Sequence, residues 1–75
     1  MNAASRKQLE QIISTLRDRQ SDLESMGSEE QDKFDGMPES LQQGENGQRI
    51  EAAASTIQDA ANDLDDAISN LESIE

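Results

Sequence analysis

The sequence predicts an all-α fold: an antiparallel helical hairpin with a short helical connector, dimerising into a four-helix arrangement. Three observations lead there. Apolar residues recur at alternating three- and four-residue steps in the first and last thirds of the chain. The glycines and the lone proline past residue 26 all fall between those thirds. No Val, Tyr or Trp occurs, and no apolar run alternates as a strand would.

The C-terminal helix, expected over about 48–74, has the clearest pattern. Ile50, Ala53, Ile57, Ala60, Leu64, Ala67, Leu71 and Ile74 follow the heptad rhythm without a missed position, and Ala54, Ala61 and Ile68 broaden the stripe. Glu51, Asp59, Asp63, Asp66 and Glu72 are expected on the opposite face. The alanines at 53, 60 and 67 predict close approach of a neighbouring helix.

The first helix, expected over about 5–26, repeats the rhythm through Leu9, Ile12, Leu16, Arg19, Leu23 and Met26, with Ile13 alongside. Ser5 is the expected cap and Gly27 the expected terminator. Arg19 falls on the seam, either snorkelling outward or pairing with an acid of a neighbouring helix.

Residues 27–47 form the expected connector. Ser28 and Gln31 have capping-box spacing, which predicts a short helix over Ser28–Phe34. Asp35-Gly36 reads as a turn, and Pro38 as the first residue of a helical segment over Pro38–Gln43. Gly44 and Gly47 bracket the last turn. The alternative is one long coiled coil broken in the middle.

A 75-residue chain makes one domain, and one too small to bury a large core. With no Cys and no His, disulfides and the usual structural metal sites are excluded, so self-association is the expected remedy. No apolar leader or membrane-length stretch is visible, which sets a cytoplasmic location as the expectation.

Charge is unevenly spread. Residues 1–19 carry Arg6, Lys7, Arg17 and Arg19 against Glu10 and Asp18, a net of +2. The remainder carries Lys33 and Arg49 against fifteen acids, a net of −13, completing the −11 of the chain. Such a field repels nucleic acid and anionic membrane and favours basic protein surfaces.

Enzymatic chemistry is not expected, because His, Cys, Tyr and Trp, the usual acid–base and nucleophilic side chains among them, are absent. Asp59, Asp63, Asp65 and Asp66 form the densest carboxylate cluster, but no glycine-containing calcium loop accompanies it. A solvated charged face is the simpler reading, and neither metal nor cofactor is expected.

Two features are candidates for partner binding. One is the connector, where Phe34, Met37, Pro38, Glu39 and Leu41 either anchor a partner or fold back to plug the hairpin end. The other is the acidic face of Glu51, Asp59, Asp63, Asp66 and Glu72. Carboxylates every three or four residues make a sparse imitation of a nucleic-acid backbone, with ordinary solubility as the competing explanation.

Glu29-Glu30-Gln31, Phe34, the segment Met37-Pro38-Glu39-Ser40-Leu41-Gln42 and Gly47 precede a helix of repeating Ala, Leu and Ile with acids. In these features the chain resembles a family of short, acidic, mostly uncharacterised phage and prophage proteins. The resemblance implies an accessory protein acting in the bacterial cytoplasm and assigns no residue a role. Three functions compete: an inhibitor or regulator of a nucleic-acid-handling or defence protein, an oligomeric scaffold, and a nucleotide-signal sponge using Arg6, Lys7, Arg17 and Arg19.

Overall fold

The computed structural model describes all 75 residues and contains helices only. Helix α1 spans Ala3–Asp35, α2 spans Glu39–Gln42 and α3 spans Glu45–Glu72. Helices α1 and α3 pack antiparallel along a rod of 58 × 15 × 13 Å, with α2 in the connector. At 1.5 Å per residue the two arms are about 50 and 42 Å long.

Helix α1 starts earlier and ends later than the sequence pattern suggests. Asn2, not Ser5, is its cap: the Asn2 side chain accepts from the Ser5 backbone N–H at 2.8 Å. Gly27 does not terminate it. Its missing Cβ lets α3 approach, since a Cβ there would lie 3.1 Å from Gln58 Cγ and 3.4 Å from Ile57 Cγ2. The helix instead ends at Gly36, whose N–H bonds the Asp32 carbonyl, followed by Met37 N–H on the Phe34 carbonyl.

Because α1 absorbs 27–35 and α3 begins at Glu45, the connector is nine residues, 36–44, instead of the expected 27–47. The capping box is unused: Ser28 lies inside α1, and Gln31 donates to Asp35 at 3.0 Å. The Asp35-Gly36 turn and a helical turn after Pro38 are both present. Two glutamines tie the connector down. Gln42 Nε2 donates to the Phe34 carbonyl and Gln48 Nε2 to the Gln42 carbonyl, both at 2.9 Å.

The seam is turned by one position on both helices relative to the sequence reading. On α3 the inward residues are Ile50, Ala54, Ile57, Ala61, Leu64, Ile68 and Leu71, while Ala53, Ala60 and Ala67 are exposed. Ala54 and Ile68 are 0 % and Ala61 2 % exposed, so close approach falls to Ala54 and Ala61. On α1 the inward set is Leu9, Ile13, Leu16, Gln20, Leu23 and Gly27. Ile12, Arg19 and Met26 face out, and Arg19 pairs with Asp22 of its own helix at 3.0 Å. The reason is steric. A slender pair needs small residues where the axes come close, and Gly27 against Ala54 meets that need better than Met26.

Candidate protein-binding surfaces

The charged surface is organised by one cross-helix clasp. Arg17 follows the seam residue Leu16 and reaches over to α3, donating from Nη1 to Asp65 Oδ1 at 2.7 Å and from Nη2 to Glu72 Oε1 at 2.5 Å. Its Nη1 also donates to Gln20 Oε1 at 3.1 Å. Asp65 and Glu72 are about two turns apart on α3, and both side chains reach the same guanidinium. These hydrogen bonds raise the Arg17 pKa, Asp65 contributing most, and Arg17 in turn holds the Asp65 carboxyl below its ordinary value. The clasp is half-exposed, so it fixes the relative position of the helices more than it stabilises them.

The five carboxylates assigned to one acidic face are divided by the fold. Glu72 belongs to the clasp, and Glu51 lies one position after its seam residue, on that same side. Asp59 and Asp66 point outward, and Asp63 turns toward the other side of the hairpin; Glu51, Asp59, Asp63 and Asp66 are all exposed. Asp65, absent from the sequence-based set, is the second carboxylate of the clasp. No three acidic side chains converge as a metal-binding group.

The remaining charges are largely uncompensated. Asp22, Asp65, Glu30, Glu45 and Glu72 form ion pairs, which leaves twelve of the 17 acids without a cation. Lys33 is held by Glu30 at 2.8 Å, which raises its pKa. Of the N-terminal basic cluster, Arg17 and Arg19 are occupied by carboxylates, leaving Arg6 and Lys7 outside any ion pair.

At the connector, Phe34 and Met37 are half-buried, Pro38 and Glu39 are exposed, and Leu41 is 56 % exposed. The fold thus covers part of Phe34 and Met37 and leaves Leu41 facing solvent. At the other end, Leu9, Ile13, Leu71 and Ile74 line an open cavity of about 290 Å³ with Arg6 and Glu72 on its rim. No helix is long and apolar enough to cross a membrane. Comparison with protein-family models, curated proteins and solved structures gives no match.

Proposed function

We propose that the chain is a non-enzymatic binding module that engages a basic protein surface through its unpaired carboxylates. A phage-type inhibitor or regulator of a bacterial nucleic-acid-handling or defence protein, acting in the host cytoplasm, is the form this takes. The observation that carries the reading is the charge balance of the folded surface. Twelve acids lack a cationic partner, and four of them, Glu51, Asp59, Asp63 and Asp66, follow one another along about 22 Å of α3. A basic groove shaped for a phosphate backbone is the complementary partner. The resemblance to phage accessory proteins agrees with that setting.

The test is affinity capture from bacterial lysate by the tagged protein, compared with the triple variant Asp59→Lys, Asp63→Lys, Asp66→Lys. A stoichiometric partner, released at high salt and lost by the variant, supports the reading. A partner retained by the variant moves the site to Leu41 and the connector.

The second reading is a self-associating scaffold, favoured by the thinness of the core: only Ala54, Ala61 and Ile68 are buried among apolar side chains. Self-association of two hairpins into four helices is compatible with both readings.

A further inference from the structure

We infer that the hairpin self-associates through one defined side, where Ile12 and Met26 of α1 and Ala53, Ala60 and Ala67 of α3 meet a second copy of the chain. The inference rests on the self-association reading above and adds its surface and orientation.

Ile12 is 46 % and Met26 51 % exposed, and both are large apolar side chains on a regular helix, not at a frayed end. Their placement follows from the register. Arg17, Asp65 and Glu72 each lie one residue after a seam position, and their clasp shows that equal displacements on antiparallel helices reach the same side. Ile12, Met26, Ala53, Ala60 and Ala67 each lie three residues after a seam position. That displacement, about 300° instead of about 100°, places all five together on the side away from the clasp. The alanines leave that side shallow over α3, and Ile12 and Met26 stand above it on α1.

Area and charge identify the occupant. The chain exposes 5407 Å² at a mass of 8.2 kDa. A compact monomer of this mass exposes about 4500 Å². That excess comes from the slender shape, and one 58 × 15 Å side is large enough to supply the roughly 800 Å² that each partner buries in a standard interface. On this side the charges at and beside the stripe are Arg19, Lys33 and Arg49 against Asp22, Glu29 and Asp63, a balance of zero in a chain of −11. It is the surface a second acidic copy approaches without net repulsion.

The charge also sets the orientation. The connector half, residues 20–63, carries a net of −9, and the open half, residues 1–19 and 64–75, carries −2. Stacking the copies with connectors at opposite ends keeps the two −9 halves apart. The two-fold axis then crosses near Ala60, which faces the Ala60 of the second copy.

The experiment uses the full chain, in which no native Cys competes. Sedimentation equilibrium at tens of micromolar, read beside circular dichroism, is expected to give twice the 8.2 kDa chain mass. Ala60→Glu is expected to halve that mass. Because this variant also loses helix if the monomer is unstable, Ala60→Cys supplies an independent readout. It is expected to form an interchain disulfide on mild oxidation, whereas Asn62→Cys, two residues on and on the opposite side of α3, stays reduced. A helical wild-type monomer overturns both the self-association reading and this surface. A dimer that survives Ala60→Glu, or cross-links through Asn62→Cys, overturns the surface while leaving self-association intact. Dissociation by Ala60→Glu without an Ala60→Cys cross-link overturns the antiparallel stacking.

Discussion

Arg17 and Asp65, 48 residues apart in sequence, meet at 2.7 Å and lock the register of the two helices. Sliding α3 by one turn would carry Asp65 about 5.4 Å along the axis and break the bond.

This pairing has a pH signature. The Asp65 carboxyl titrates below its unfolded value, so its contribution is complete above the ordinary carboxylate range, about 3.9, and is lost as pH falls through the lower folded value. Asp65→Asn is expected to lower the urea midpoint slightly at pH 7. The gap from wild type is expected to narrow as pH falls below the ordinary carboxylate range, about 3.9. A gap unchanged down to pH 2 would place the stabilisation elsewhere.

Two glycines inside long helices are expected to respond oppositely to alanine. At Gly47 a Cβ would sit 2.5 Å from the Leu41 carbonyl oxygen and 2.7 Å from Gln42 Cα, rigid backbone that has no room to yield. Gly47→Ala is therefore expected to cost about 1–3 kcal/mol, as overpacking does. At Gly27 the nearest obstacle is the flexible, exposed Gln58 side chain. Gly27→Ala is expected to stabilise by up to about 1 kcal/mol through helix propensity. Denaturant unfolding of the two variants measures both signs.

The turned seam is tested with leucine. Ala54→Leu inserts bulk where α1 leaves none and is expected to destabilise by about 1–3 kcal/mol. Ala52→Leu, on the outward face, is expected to leave thermal unfolding nearly unchanged. Equal effects would contradict the register.

Salt acts on the whole field and on the ion pairs with opposite signs. A net charge of −11 on 75 residues repels itself, whereas the ion pairs are mostly exposed and weak. Raising NaCl from about 0.01 to 0.5 M shortens the Debye length from about 30 Å to a few ångströms. The thermal midpoint is expected to rise across that range, since relief of repulsion outweighs loss of the clasp.

The two arms, the Asp35-Gly36 turn and the helical turn after Pro38 were legible in the sequence because each rests on local chemistry. The seam was half legible. Leu9, Leu16, Leu23, Ile50, Ile57, Leu64 and Leu71 belong to either stripe, and the second member is three or four residues on. Ile12 against Ile13 and Ala53 against Ala54 are ties, and Met26 against Gly27 misleads, because hydrophobicity favours Met where packing requires a small residue. Ile68 against Ala67, and uncharged Gln20 against Arg19, pointed correctly. The Arg17 clasp was not legible, since it depends on how the helices align, which the connector length sets. Reading Gly27 as a stop made that connector about twenty residues instead of nine and hid the pairing.

A nine-residue connector also orders events in time. Closing so short a loop loses little chain entropy, whereas bringing Arg17 to Glu72 directly means closing a far longer one. Folding is therefore expected to start at the turn beside Gly47 and to zip outward, each pair of seam residues shortening the loop that the next must close. Leu9, Leu71 and the clasp join last and open first, so amide exchange is fastest at the end holding both termini and slowest near the turn.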